Sequence, residues 1–323
     1  MSSEISFLPP PEFTDEERNY QYSPSKWSKR DFNTPDDVVN DHCNTVRQGS
    51  AAMIKSVREA QSGGEDGPFA TLNVVHTKDE AATKEASLDV FYPLDSANGN
   101  LFPVVVYLHG GYWQALEKSG SCWHANTFRK NGIGFVAIGY DLCPSVTFAQ
   151  LVRQVNNGIA EVVKNRFRGH PIYLCGHSAG GHLVGMALCT DWKGEYGIEE
   201  PFINGFIAVS GCYDLRLLRQ TYVNDALKLD EASAEAFSPV LKPFNTTSGM
   251  RPGCGGIVAY GENESEEFKR MSVNYHKYIT FHNVSPGCEL MELPGEDHFT
   301  AIERLAEAEY KLTKSTVGMI LKK

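Results

Sequence analysis

Apolar residues along this chain recur with two periods that alternate from segment to segment. Pro103–Leu108 (P-V-V-V-Y-L) is a continuous β-branched run of the kind expected for a strand buried on both faces, and Gly134–Tyr140 is another. Phe148, Leu151, Val152, Val155, Ile159, Val162 and Val163 then follow at helical spacing, which predicts a helix within 147–167. Ile172–Cys175 and Asn204–Val209 read as strands, with the apolar helical stretch Leu183–Leu188 between them. Ile257–Tyr260, inside the glycine-rich 253–261, reads as a short strand; 266–279 reads as a helix and 288–293 as the last strand. Thr300 caps one or two closing helices. Upstream, 71–76 and 87–92 alternate as antiparallel strands, and 63–67 is a glycine-rich loop. Thr34 followed by Pro35 marks the start of a helix running to Ala60.

This order predicts an α/β fold: a mixed, mostly parallel sheet with helices on both faces. The polar, proline-punctuated 1–34 reads as an arm lying over a single domain of 35–323. Residues 215–252 break the strand–helix rhythm with helix-like pieces and the pairs Ser238-Pro239 and Lys242-Pro243. They are expected to form a small helical insertion over the active face.

Composition narrows the picture. A chain of 323 residues with 41% hydrophobic content suits one large domain with a sizeable core. A net charge of −10 disfavours nucleic acid and anionic membrane as partners. No stretch is long and apolar enough to span a bilayer, and the start of the chain lacks the basic-then-apolar pattern of a signal peptide. The eight cysteines are scattered with no C-x-x-C pair, which points to reduced thiols in a cytosolic protein rather than to disulfides or zinc. His177 and His182 match neither helical ligand spacing, and no H-E-x-x-H occurs. No metal or other cofactor is expected.

The chemistry is carried by Gly176-His-Ser-Ala-Gly180, a G-x-S-x-G pattern between a strand and a helix. That context forces the serine into a strained turn with its hydroxyl raised above the sheet, and the turn leaves no room for side chains at Gly176 and Gly180. Ser178 is therefore the candidate nucleophile. A serine nucleophile needs a base, and the base an orienting carboxylate, in the chain order Ser, acid, His. His298, in the loop after the last strand, is the candidate base; His177 is read as pointing elsewhere and His182 as lying on the following helix. Glu264 is the preferred acid, three residues past Gly261 at a strand end, with Glu262 second. Asp297 is too close in sequence to reach its neighbour's imidazole. His109-Gly110-Gly111-Tyr112-Trp113 follows a strand end as well, so the N–H groups of Gly110, Gly111 and Ala179 are the candidate oxyanion donors.

These blocks resemble the α/β-hydrolases, in the H-G-G branch that includes hormone-sensitive-lipase-type esterases, and within that branch the kynurenine formamidases (arylformamidases). The likeness rests on His109–Trp113, Gly176–His182, Ser210–Leu215, Glu264–Phe268 and Asp297–Phe299, spread over 103–299. It implies hydrolysis of the small-molecule substrate N-formyl-L-kynurenine to formate and L-kynurenine, in cytosolic tryptophan degradation, by a homodimer. One departure is that Glu264 stands where the family commonly carries aspartate.

The residues fit such a substrate. A formyl group needs no acyl pocket, and an aromatic amine leaving group needs a flat apolar wall, for which Tyr112, Trp113 and Tyr213 are candidates. Arg216, Arg219 and Asn224 are open alternatives for the amino-acid end. A general carboxylesterase of the same fold is the nearest rival reading. A catalytically inactive hydrolase fold used for binding is the other, though such chains usually lose a triad member and this one keeps all three in order.

Overall fold

The strands of the computed structural model are β1 (Ala70–Val75), β2 (Ser87–Phe91), β3 (Val104–Leu108), β4 (Gly134–Ile138), β5 (Ile172–His177), β6 (Ile203–Val209), β7 (Met250–Asn263) and β8 (Glu289–Asp297). The residues described are 5, 7–9, 11–61, 69–76, 83–94, 100–244 and 249–322; the loop expected at 63–67 lies outside them. The strands form one sheet in the order β1-β2-β4-β3-β5-β6-β7-β8. β2 runs antiparallel to β1 and β4, and every other neighbouring pair is parallel. The expected mixed, mostly parallel sheet is present.

The helices are α1 (Asp15–Gln21), α2 (Pro35–Ala60), α3 (Ala125–Arg129), α4 (Phe148–Glu161), α5 (Ala179–Cys189), α6 (Trp192–Tyr196), α7 (Leu215–Leu218), α8 (Asn224–Leu227), α9 (Glu231–Ala236), α10 (Glu266–Phe281), α11 (Thr300–Glu303) and α12 (Lys311–Leu321). None of the described helices is long and apolar enough to cross a membrane. α2 starts where its signals put it: Thr34 and Asp37 form a reciprocal capping box, with Pro35 at the first helical position.

Alternating side chains of β3 feed two cores. Val104, Val106 and Leu108 join an apolar cluster with α4, α5 and α10, while Val105 and Tyr107 join one with α3 and α12. Both faces of the strand are therefore dry, which is why its sequence shows no polar alternation.

Three elements differ from expectation. β7 is 14 residues long rather than a short strand at 257–260, because Met250, Gly255 and Gly256 also pair with β6, and the glycines leave no apolar pattern. β8 runs past Pro294 to Asp297; as the edge strand it tolerates a residue that cannot donate to a ladder. Thr300 does not cap α11 but is its first residue. The turn is held instead by Asp297, whose Oδ1 accepts from the Phe299 and Thr300 N–H groups at 2.9 and 2.8 Å.

The sheet topology brings the ends of β3, β5, β6, β7 and β8 side by side. Catalytic groups in open α/β sheets gather along the carboxyl edge of the strands. Pro24 and Ser25 after α1, and Tyr222 and Val223 between α7 and α8, line a cavity at this edge.

Candidate active site

Ser178 sits between β5 and α5 with φ 55° and ψ −118°, a backbone conformation that ordinary residues avoid. The turn exists because the chain behind it has no side chains. A Cβ at Gly180 would lie 1.9 Å from the Leu108 carbonyl oxygen, so only glycine lets α5 close onto the end of β3. The Ser178 N–H is tied to the Val209 carbonyl of the neighbouring strand at 2.8 Å. Position and strain are thus set by backbone, leaving the hydroxyl to face a cavity of about 270 Å³. That is small for a ligand site, where about 300–1,000 Å³ is usual.

His298 and Glu264 meet. Glu264 Oε2 accepts from His298 Nδ1 at 2.8 Å, in a pair almost fully buried on both sides. Its other oxygen accepts from the Gly261 N–H at 2.7 Å and from the Ser210 hydroxyl at 2.5 Å. The carboxylate is therefore fully committed, and the His298 proton is held on Nδ1. Nε2 is left with its lone pair free to accept a proton. Ser178 and His298 line the same cavity without a hydrogen bond between them; such contacts commonly tighten only with substrate seated. The rival Glu262 is engaged elsewhere, accepting from the Gly295 N–H at 2.7 Å. Asp297 does not reach the ring; it binds the turn after His298 and accepts from Ser28 Oγ and Arg30 Nε of the N-terminal arm, at 2.5 and 2.9 Å.

The loop after β3 approaches Ser178 closely. A Cβ at Gly110 would stand 3.3 Å from Ser178 Cβ, and Gly111 holds φ at +97° where a Cβ would strike the Ala115 carbonyl at 2.2 Å. Neither Gly110 nor Gly111 has its N–H in a turn or loop hydrogen bond, whereas the Gly111 carbonyl receives Gln114 and Ala115. Ala179 opens α5, where the first N–H groups have no intrahelical partner. These three N–H groups belong to the two segments that flank the serine, the loop after β3 and the start of α5.

The expectation that His177 points elsewhere is corrected. It lines the cavity, its ring 4.7 Å from that of His298, and its Nε2–H donates to the His298 carbonyl at 2.7 Å. Burial, then the neighbouring His298 and His42 rings, push its pKa well below 6.5, so it stays neutral and braces the base through the backbone.

The proposed aromatic wall is only partly present. Tyr112 lines the cavity, its hydroxyl donating to the Tyr22 carbonyl at 2.8 Å. Trp113 does not: with φ at 58° its ring turns into the core and packs edge-on against His182 and Phe148, at 0% exposure. Tyr213 is also buried, stacked on Tyr275 at 4.0 Å. An indole and a phenol sealed in the apolar core cannot touch a substrate. Arg216, Arg219 and Asn224 are likewise absent from the cavity lining. Arg216 pairs with Asp214 at 2.7 Å, and the Asn224 amide closes its own turn to Leu229 at 2.9 and 2.8 Å.

What sequence reasoning missed comes from outside the strand ends. Pro24, Ser25, Val39, His42, Cys43 and Tyr222 are among the residues that line the cavity. Nothing local marks them, since they lie on the arm, on α2 and after α7. Ser210 had a signal: it ends the strand beside β5, where catalytic groups gather. A larger, more open groove of about 830 Å³ over α2, lined by Arg47, Lys55 and Glu59, carries none of the predicted catalytic groups.

Known proteins share this design. A family model described as BD-FAE matches residues 88–232. A kynurenine formamidase from Salmo salar is 35% identical over 308 residues, 94% of this chain and 96% of its own length. One from Danio rerio is 35% identical over 307 residues, with 94% and 96% covered. Among solved structures, esterase B from Lactobacillus rhamnosis superposes with a TM-score of 0.63 at 17% identity, covering 88% of this chain and 95% of that one, a likeness of fold alone. The strand-end constellation lies on an α/β-hydrolase fold, and by full-length likeness the chain belongs to the kynurenine formamidase family.

Proposed function

We propose that this chain is an arylformamidase that hydrolyses N-formyl-L-kynurenine to formate and L-kynurenine by serine catalysis. The observation that carries the reading is the Glu264–His298 pair beside Ser178, in a chain alike over its whole length to kynurenine formamidases. Ser178 Oγ attacks the formyl carbon as its proton passes to His298 Nε2, while Glu264 stabilises the imidazolium. The N–H groups of Ala179, Gly110 and Gly111 face the oxygen that gains charge, each donor contributing about 3–4 kcal/mol at the transition state. The C–N bond then breaks, and His298 returns the proton to the aniline nitrogen. Water, deprotonated by His298, releases formate from the serine ester.

The small cavity supports this substrate. A formyl carbon carries only hydrogen, so no acyl channel is needed, and Tyr112 offers the leaving aryl group one aromatic face. Residues 1–34 act as an arm and 215–252 as a cap on a single domain, since Pro24 and Ser25 from one and Tyr222 and Val223 from the other line the site. The enzyme works in the cytosol, a reading supported by eight free cysteines, seven of them buried. It works as a homodimer, as its likeness to the family implies; sedimentation at several concentrations tests that.

Purified protein is assayed on N-formyl-L-kynurenine and on short p-nitrophenyl esters, with Ser178→Ala as control. A large kcat/KM preference for the formamide is expected. A preference for the esters, or formamide cleavage undiminished in Ser178→Ala, overturns the proposal.

A further inference from the structure

The cavity contains a second imidazole–carboxylate pair that the mechanism does not use. His42, on α2, is 4% exposed and lines the cavity, and its Nδ1 donates to Glu303 Oε1 at 2.7 Å. Glu303 closes α11, and Arg30 stands 3.8 Å behind it. With Nδ1–H given to the carboxylate, Nε2 is the acceptor end of the ring. Among the described residues, His42 Nε2 has no hydrogen-bond partner, and it is not among the buried atoms sealed without one. It therefore opens into the cavity.

Two further observations say what it takes. The lining holds no Lys, Arg, Asp or Glu among the described residues, so recognition of a charged group falls to polar uncharged atoms. Among the described residues, the ion-pair network joined to His42 through Glu303 holds three carboxylates, Glu303, Asp41 and Asp297, and one guanidinium, Arg30. An acceptor nitrogen in a net negative field binds a cationic N–H donor. Position fits a remote group: the His177 ring lies 4.7 Å from that of His298 and 6.2 Å from that of His42, so His42 shares the cavity with the base but is set back from it. A group seated at His42 occupies the same cavity as a formyl carbon at Ser178.

We infer that His42 Nε2, oriented by Glu303, accepts a hydrogen bond from the substrate's α-ammonium and so selects aryl formamides that carry an amino-acid end. This rests on the arylformamidase reading above. His42 binds the remote end and takes no part in bond breaking. It is a specificity-determining residue, and its loss acts through KM.

The test compares wild type, His42→Ala, His42→Gln and Glu303→Gln on three substrates, N-formyl-L-kynurenine, its analogue lacking the amino group, and formanilide, with the analogue lacking the carboxylate as a control. Hydrogen bonds to a charged group are worth a factor of about 10–100. His42→Ala is expected to lose that factor in kcat/KM on N-formyl-L-kynurenine, mainly in KM, and to be unchanged on the other two. His42→Gln, which keeps an acceptor, recovers part of the loss, and Glu303→Gln shows a smaller loss of the same pattern. An equal loss on all three substrates makes His42 structural and overturns the inference. So does a loss that persists on the des-amino analogue but disappears on an analogue lacking the carboxylate, which would assign the other charge. A wild type that cleaves formanilide but leaves N-formyl-L-kynurenine intact sinks the functional reading itself. A wild type that cleaves both with His42→Ala unaffected sinks only this inference.

Discussion

The two walls of the cavity are built in different ways. One wall is made of strand ends: Ser178 after β5, Glu264 after β7, His298 after β8 and the glycine loop after β3. Each group there is held by main-chain contacts or by a short side-chain bond, such as Gly261 N–H to Glu264 at 2.7 Å and Glu264 to His298 at 2.8 Å. The facing wall is assembled from Pro24, Ser25, His42 and Tyr222, which belong to the arm, α2 and the segment after α7. It is joined by side chains reaching across long gaps in sequence: Tyr112 and Tyr222 both donate to the Tyr22 carbonyl, at 2.8 and 3.1 Å, and Gln114 donates to the Val223 carbonyl at 2.8 Å. The sheet edge supplies rigid placement for chemistry, where small displacements are costly. The assembled wall supplies the rest of the cavity's outline, which can vary without disturbing the sheet.

Substitutions on the two walls therefore separate kcat from KM. The largest effect is expected from Ser178→Ala, a fall of about 10⁴–10⁶ in kcat with folding intact, read by single-turnover kinetics and circular dichroism. Glu264→Gln comes next at about 10³–10⁴ in kcat, while Glu262→Gln stays within about twofold of wild type; a reversal of that order moves the acid to Glu262.

Stability toward acid follows. Burial lowers the pKa of His109 to about 4, of His182 to about 4 and of His124 to about 3, from 6.5. A folded-state pKa below the unfolded value means the unfolded chain binds more protons between the two. These groups thus cost nothing above about pH 6.5, and stability falls as pH drops from there toward 4, by up to about 3 kcal/mol per group. Urea midpoints at pH 7.5 and 5 measure the fall, and His124→Phe reduces it. His109 and His182 lie behind the strand-end wall, so activity in this range is expected to fail with the fold; a stable fold at pH 4.5 contradicts the assignment of neutral buried rings.

Ser210→Ala removes one of two donors to Glu264 Oε1 and leaves the Gly261 N–H in place. About a tenfold loss in kcat is expected, with KM little changed. Tyr222→Phe, on the facing wall, deletes one of the two hydroxyls at the Tyr22 carbonyl. It is expected to raise KM about threefold with kcat within error; a larger effect on kcat than that of Ser210→Ala would remove the distinction between the walls.

Legibility in the sequence follows the same division. The turn at Ser178 has a local signature because strain and close approach admit only glycine around it. His298 and Glu264 were traceable because each follows a strand of recognisable pattern. Trp113 misled, since the same H-G-G-Y-W block puts Tyr112 in the cavity and turns the next side chain into the core, where His182 and Phe148 receive it, a packing choice that residue type does not encode. Thr300 misled because Asp297, three residues earlier, already serves the helix start.

Strand–turn–helix context, chain order and glycine placement made the fold class legible from sequence alone and singled out Ser178 and His298 as candidate nucleophile and base, because each depends on residues close together along the chain. Tertiary structure alone decided between Glu264 and Glu262, brought His177 against the His298 backbone, and carried His42 with Glu303 to the cavity. Those choices depend on contacts spanning up to 261 residues, as between His42 and Glu303. No local pattern records such a contact, because packing of whole elements, not the propensity of either residue, brings its two ends together.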